Sequence, residues 1–199
     1  QGLSHVRNGA PITKDTIQDA VEGSLKRLKT DYIDLYQFHW PNRGSYMFRQ
    51  NWKYDPSRQD KKSTLENMYE CLVILQKQVE KGNIRYFGLS NESAWGTANW
   101  LKLSEQHNLP RVATIQNEYS LLCRLYDTDL AELSVNEGVG LMAFSPLAAG
   151  LLTGKYLDGN LPENSRKLIN QDLGGRDNPR SEMAVRSYLK IAKEFGLDP

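Results

Sequence analysis

Tyr32-Ile33-Asp34-Leu35-Tyr36-Gln37-Phe38-His39-Trp40-Pro41 decides how this chain is read. Its first seven residues are mostly aromatic or aliphatic, as in a buried strand, and Pro41 ends the run. Upstream, Thr13 to Leu28 sets Ile17, Ala20, Val21, Ser24, Leu25 and Leu28 at three- and four-residue spacing, the stripe of a helix lying on a sheet. Downstream, Ser63-Thr64-Leu65-Glu66 has the form of a capping box. Leu65, Met68, Leu72, Leu75 and Val79 then share one face, and Gly82 can end that helix. A strand over Ile84 to Leu89 follows. The rhythm continues with a helix around Ala94 to Gln106, a strand at Val112 to Gln116, a helix near Asp127 to Asn136 and a strand at Val139 to Phe144. The last helix runs from Glu182 to Phe195.

Strands that alternate with helices imply right-handed βαβ units and a parallel sheet, either closed as a barrel or open and doubly wound. In both architectures ligands gather at the C-terminal ends of the strands. A closed barrel needs eight strands and four are counted, so the barrel reading requires sequence beyond this chain. Gln1-Gly2-Leu3-Ser4 lacks an initiating Met and Gly196-Leu197-Asp198-Pro199 stops where another element is expected; both ends read as cut.

The bulk properties narrow the partner. The chain has 199 residues, 39% hydrophobic and 25% charged, which suits one sizeable core and argues against disorder. Lys+Arg 25 against Asp+Glu 24 gives a formal charge of +1, so no bulk pull toward nucleic acid or an anionic membrane is expected. Cys71 and Cys123 form no CxxC pair, no apolar run approaches a membrane span, and no signal peptide opens the chain. The expectation is a cytoplasmic protein with a small-molecule partner, and the oligomeric state is not read from these features.

Reading the residue at or just past each strand end gives His39, then Ser90 and Asn91, then Gln116, then Phe144 and Ser145. The set offers hydrogen-bonding side chains and an aromatic ring with no carboxylate cluster, which suits an amide-bearing heterocycle and a carbonyl better than a metal. His5, His39 and His107 show no HExxH spacing, and no metal is expected. His39 reads either as a satisfied polar residue or as a site residue. Phe144-Ser145-Pro146-Leu147-Ala148-Ala149-Gly150-Leu151-Leu152-Thr153-Gly154-Lys155 leaves a strand through small residues toward a lysine, and reads either as a plain loop or as a pyrophosphate cradle. Gly138-Val139-Gly140-Leu141-Met142-Ala143 matches GxGxxA but lies before and within the strand, not at the opening of a helix, and is rejected. Asn91-Glu92-Ser93 fits a glycosylation sequon that requires secretion, of which there is no sign. Two long connections stand out: Pro41 to Lys62, with Tyr46, Phe48, Trp52 and Tyr54, and Leu157 to Arg180, rich in Gly, Asn and Arg.

At these residues the chain resembles the aldo/keto reductase superfamily, and most closely its Tas-type bacterial branch. Four ordered stretches carry the likeness: Ser24-Leu25-Lys26-Arg27-Leu28 through Tyr32 to Pro41; Gly82-Asn83-Ile84-Arg85-Tyr86-Phe87-Gly88-Leu89-Ser90-Asn91; Gln116-Asn117-Glu118-Tyr119-Ser120; and Phe144 through Lys155-Tyr156. The resemblance implies a (β/α)8 TIM barrel. Residues 1–199 would form its central part, strands four to seven with flanking helices, and strands one to three and eight would be missing.

It also implies NADPH-dependent reduction of an aldehyde or ketone, with a tyrosine of the family's Asp, Tyr, Lys and His set donating the proton. Of that set only the histidine matches here, at His39, where it would orient the substrate carbonyl. Ser90, Asn91 and Gln116 would hold the nicotinamide carboxamide, and Phe144 would stack on the ring with no polar tip of its own. Ser145, Pro146, Leu147, Ala148, Gly150, Leu152 and Lys155 match the pyrophosphate-binding turn, and Ser165-Arg166 matches a loop that folds over the cofactor, with Arg166 as the contact. Trp40, Tyr46, Phe48 and Trp52 resemble a substrate-side loop that would favour apolar or aromatic carbonyls. The 199 residues alone are expected to show no turnover, since the other three partners would precede Gln1. A regulatory protein resembling the potassium-channel β subunits is the alternative. Those subunits typically have Asn at the place of His39, so the histidine favours an enzyme.

Overall fold

A computed structural model describes residues 9–199. Gln1 to Asn8, with His5 and the opening read as a cut start, lie outside the described residues. The elements alternate as the sequence implies through α1 (Lys14–Leu28), β1 (Ile33–Phe38), α2 (Lys61–Glu80), β2 (Ile84–Ser90), α3 (Ala94–His107), β3 (Val112–Glu118), α4 (Leu130–Glu137) and β4 (Gly140–Phe144); beyond β4 a one-turn α5 (Arg166–Ile169), inside the stretch read as a long connection, precedes α6 (Pro179–Glu194). The four strands form one sheet in the order β1-β2-β3-β4. β1 with β2, and β2 with β3, pair in parallel. This is an α/β fold of the kind that makes up part of a (β/α)8 barrel.

The chain divides into two compact units. The first takes the described residues up to Asn117 together with Asp129–Met142; the second takes Glu118–Thr128 and Ala143–Pro199.

In the first unit, register and pleat sort the sheet into two faces. Phe38, Leu89 and Ile115 align in neighbouring strands, as do Gln37, Gly88 and Thr114 one residue away. The Phe38 face is buried beneath the helices. Phe38 meets Phe87 and Trp100 at ring-centre distances of 6.3 and 5.7 Å, and Met68, Leu72 and Leu75 of α2 and Leu101 of α3 are buried as well. Along the opposite row Leu35, Gln37, Thr114 and Gln116 remain half-buried. At Gly88 a side chain has no room, since a Cβ would lie 2.9 Å from the Thr114 carbonyl oxygen. Glycine lets β2 and β3 approach there despite the irregularity in their register at Phe87/Gly88.

Helix ends differ from the sequence reading by a few residues. Thr13 caps α1 with a capping box completed by Thr16. The box expected at Ser63 is displaced: α2 starts at Lys61, and Asp60 is the cap, its carboxylate accepting the Ser63 N–H at 3.0 Å. Asp60 and Ser63 are competing cap residues three apart, and the earlier one gains an extra turn of helix. The helix expected near Asp127 to Asn136 is broken into a 3₁₀ turn at Leu125–Thr128 and α4.

The second unit is built on Ala148, Leu151, Leu152, Tyr156, Leu173 and Val185, with Leu157, Tyr188 and Leu189 packed against them. α6 carries the Val185 side of this cluster. It begins at Asn178, whose side chain accepts the Arg180 and Ser181 N–H groups, with Pro179 at the first helical position.

Candidate functional site

The ends of β1, β2 and β3 in the first unit bring four of the expected site residues together. Asn91 follows the last residue of β2 in the left-handed region, at φ 57°, a conformation that asparagine tolerates better than other non-glycine residues. The turn is held on three sides. The Asn91 N–H donates to the Gln116 carbonyl at 3.1 Å, its Nδ2 donates to the His39 carbonyl at 2.9 Å and to Ser90 Oγ at 3.1 Å, and its own carbonyl accepts from Ser45 Oγ at 2.7 Å. Ser90 Oγ donates in turn to the Gln116 carbonyl at 2.7 Å. Asn91 is wholly buried, Ser90 is buried, and Gln116 is half-buried.

His39 lies one residue past β1 and is exposed, while its neighbour Phe38 is buried in the helix-facing core. A histidine satisfied within the core is therefore not what the structure contains. Its main-chain carbonyl is held by Asn91.

One orphan in this turn is informative. Asn91 Oδ1 is buried and has no hydrogen-bond partner among the described residues, because the amide's donor end is spent on His39 and Ser90. A buried acceptor left unmet costs about 1–3 kcal/mol, and a primary carboxamide carries the N–H needed to meet it. The residues thus fit the heterocycle that the sequence implies.

The candidate substrate-side loop is partly ordered by its own rings. Trp40 stacks on Phe48 at 5.6 Å with planes 26° apart, and Tyr46 meets Tyr54 edge-on at 6.2 Å. Burial, helped by the Asp129 and Glu92 carboxylates, pushes the Tyr46 hydroxyl up to about 12, so it stays protonated at neutral pH. Trp52 is 92% exposed and touches the site through none of these contacts. Trp40 also lines a cleft of ≈ 440 Å³ with Phe38, Leu89, Met68, Cys71 and Trp100, on the helix side of the strand ends.

The second unit holds the other candidates. Phe144 is half-buried, and its carbonyl accepts the Tyr119 N–H at 3.3 Å. The turn beyond it departs from ordinary backbone conformation. Ser145, Ala148, Ala149 and Gly150 all have positive φ, at 53°, 50°, 59° and 97°, and residues Ala148–Thr153 wind as interrupted 3₁₀ turns. Ala148 N–H donates to the Ser145 carbonyl at 2.8 Å and Gly150 N–H to that of Leu147 at 2.9 Å. Ala148 and Leu152 are buried, whereas Pro146, Leu147 and Lys155 are exposed. Lys155 packs back on the turn, its Nζ 5.2 Å from the centre of the Tyr156 ring, and a Cβ on Gly150 would lie 2.8 Å from Lys155 Cε. Arg166 is exposed at the start of α5, preceded by the buried Ser165.

Two buried ion pairs escaped the sequence reading. Arg43 pairs with Glu92 in the first unit, and Arg176 Nε pairs with Glu118 Oε1 at 2.8 Å in the second. Their partners stand 49 and 58 residues apart, so no local spacing announces them. The one available signal was the charge of Glu92 directly after the Ser90-Asn91 strand end. Among the described residues no cluster of His, Cys, Asp or Glu is arranged to hold a metal ion, and no helix is long and apolar enough to cross a membrane.

Comparison with known proteins covers almost the whole chain. The family model described as Aldo/keto reductase family matches residues 5–199. Protein tas of Escherichia coli (strain K12) is 41% identical over 194 residues, covering 98% of this chain and 55% of that protein. The Aldo-keto reductase of Babesia bovis is 37% identical, covering 97% of this chain and 71% of its own length. A Probable voltage-gated potassium channel subunit beta of Arabidopsis thaliana is 32% identical, covering 96% and 53%. The chain thus spans about half the length of two of these three relatives.

Proposed function

The chain belongs to the aldo/keto reductase family, and from that premise we propose that it forms the central part of a barrel enzyme reducing aldehydes or ketones with NADPH. The bound cofactor supplies the hydride. Within this segment, Ser90, Asn91 and Gln116 hold the nicotinamide carboxamide, and Phe144 stacks on its ring. Ser145, Pro146, Leu147, Ala148, Gly150, Leu152 and Lys155 form the pyrophosphate turn, and Arg166 adds a cation. His39 donates a hydrogen bond to the substrate carbonyl oxygen and so orients the carbonyl carbon for attack. Proton donation falls to residues outside this segment, and the 199 residues alone turn over no substrate. The buried Asn91 Oδ1 acceptor, held beside an exposed His39, carries the reading.

The paired rings Trp40–Phe48 and Tyr46–Tyr54 support apolar or aromatic carbonyls as substrates. Truncating Tyr46, Phe48 and Trp52 is expected to change relative kcat/KM across a series of aldehydes; unchanged ratios remove this assignment.

The test of the reading is NADPH titration of the full-length protein that carries this segment. Fluorescence quenching is expected, and Gln116→Ala with Phe144→Ala abolishes it. Absence of any NADPH binding to the unaltered protein refutes the proposal. A channel-type regulatory role shares cofactor binding and predicts no carbonyl turnover; a histidine at this strand end, His39, favours the enzyme.

A further inference from the structure

Arg43 and Glu92 join the two loops that leave β1 and β2. Their side chains are 7% and 3% exposed. The pairing is two-pronged, with Arg43 Nη1 donating to Glu92 Oε2 at 3.0 Å and Nη2 donating to Oε1. Nη2 also reaches Ser93 Oγ at 3.2 Å, and Glu92 Oε1 accepts the Ser93 N–H at 2.7 Å. The guanidinium lies over the Trp95 ring, 5.1 Å from its centre. Gly96, in the first turn of α3, leaves the space this pair fills, because a Cβ there would collide with Arg43 Nη2 and the Glu92 carboxylate.

Stability is a poor reason for such a pair. Stripping water from two charges costs several kcal/mol per ion, and apolar replacements of similar volume are often neutral or stabilising. Arg43 Nε is buried without a partner among the described residues as well, so the guanidinium is imperfectly satisfied by them. What the pair does accomplish is geometric. Arg43 lies four residues after His39, Glu92 directly follows Asn91, and Asn91 Nδ2 holds the His39 carbonyl at 2.9 Å. Ser45, two residues past Arg43, donates to the Asn91 carbonyl. Chain and side chains therefore close a ring through His39, Arg43, Glu92 and Asn91.

We propose that the Arg43–Glu92 pair is a positioning clamp that fixes His39 relative to Asn91, and so sets the substrate carbonyl against the nicotinamide. The inference rests on the functional reading above. Arg43 and Glu92 are positioning residues and touch neither reactant.

The experiment compares the full-length protein with Glu92→Gln and with the apolar pair Arg43→Met plus Glu92→Leu, reading Tm, kcat, NADPH affinity and the His39 ring resonances without cofactor. Expected is a double variant with Tm equal to or above that of the unaltered protein. Its kcat falls about 10- to 100-fold, the scale of a 1 Å misplacement, NADPH affinity changes far less, and the His39 resonances shift. Glu92→Gln leaves the Arg43 charge buried without its partner and so lowers Tm; measured at a temperature where it stays folded, it shows the same loss of kcat and the same resonance shift, which keeps the test decisive should the double variant fail to fold. Folded variants with unaltered kcat and His39 resonances overturn the clamp alone. Unaltered protein that binds NADPH yet reduces no carbonyl refutes the reductase reading and the clamp's catalytic purpose together.

Discussion

Replacing Asn91 tests the turn on which the candidate site is built, and the structure sets the magnitude. The side chain donates two hydrogen bonds, to the His39 carbonyl and Ser90 Oγ, each contributing about 1 kcal/mol net. Its φ of 57° costs an alanine roughly a further 1 kcal/mol, because Cβ crowds the following carbonyl in the left-handed region. Either substitution also removes the unmet Oδ1 acceptor, which returns about 1 kcal/mol, so Asn91→Ala should destabilise the protein by about 2 kcal/mol. Asn91→Gly loses the same two hydrogen bonds but suits the backbone, and even after allowing for its freer unfolded chain it should cost nearer ~1 kcal/mol. Urea unfolding with a common m-value measures both. An alanine variant less than about 1 kcal/mol below the unaltered protein, or a glycine variant no milder than alanine, would show that the Asn91 bonds do not hold this turn.

Other perturbations probe the frame and its chemistry. Gly88→Ala should cost about 1–3 kcal/mol, the range for overpacking, since its Cβ meets the Thr114 carbonyl; differential scanning calorimetry showing an unchanged Tm would contradict the tight β2–β3 approach. Phe87→Ala should cost about 3–5 kcal/mol, because Phe87 is 1% exposed and touches Phe38 and Trp100, with urea unfolding again the measure. Burial pushes the Cys71 thiol up to about 12 from an ordinary value near 9, with Glu70 adding to the shift. The folded state thus keeps its proton where the unfolded chain loses it. Stability from this group is intact below pH 9 and declines above it by up to about 1.4 kcal/mol per pH unit. Cys71→Ala should flatten that slope between pH 9 and 10, and thiol reagents at pH 8 should label the half-buried Cys123 first.

The alternation of strand and helix was legible because each element is long enough to show its period and is closed by a residue with a physical reason to close it. Pro41 after β1 and Ser93 before α3 are of this kind; the Ser93 hydroxyl accepts the Gly96 N–H at 3.2 Å. The strand-end positions of His39, Ser90 and Asn91 followed from that alternation alone, whereas Gln116, read as the last residue of its strand, lies two residues before the end of β3. What the strand-end residues do to one another was not legible. That Asn91 grips the carbonyl of His39, 52 residues away, depends on the register of β1 with β2, which pairs Phe38 with Leu89. Asp60 was passed over as a cap because Ser63 carried the fuller local pattern, and only the packed helix distinguishes them. Arg43 reads as an ordinary loop arginine until the path of residues 41–47 turns it inward toward Glu92.

The same device recurs where two of the strands end. Asn91 follows the last residue of β2 at φ 57°, and Ser145 follows the last residue of β4 at φ 53°. Neither is glycine, and a serine in the left-handed region costs on the order of 1–3 kcal/mol. A turn chosen for stability alone would carry Gly at both places. At Asn91 the side chain justifies the strain, because glycine could not hold His39 and Ser90. At Ser145 the backbone carbonyl accepts the Ala148 N–H, a bond that glycine would make equally well, so that bond does not account for the serine. Under the proposed reading the use of its hydroxyl is a hydrogen bond to the cofactor. Ser145→Gly should then raise Tm while weakening NADPH binding, and a variant that gains stability with unchanged affinity would reduce Ser145 to a strained connector.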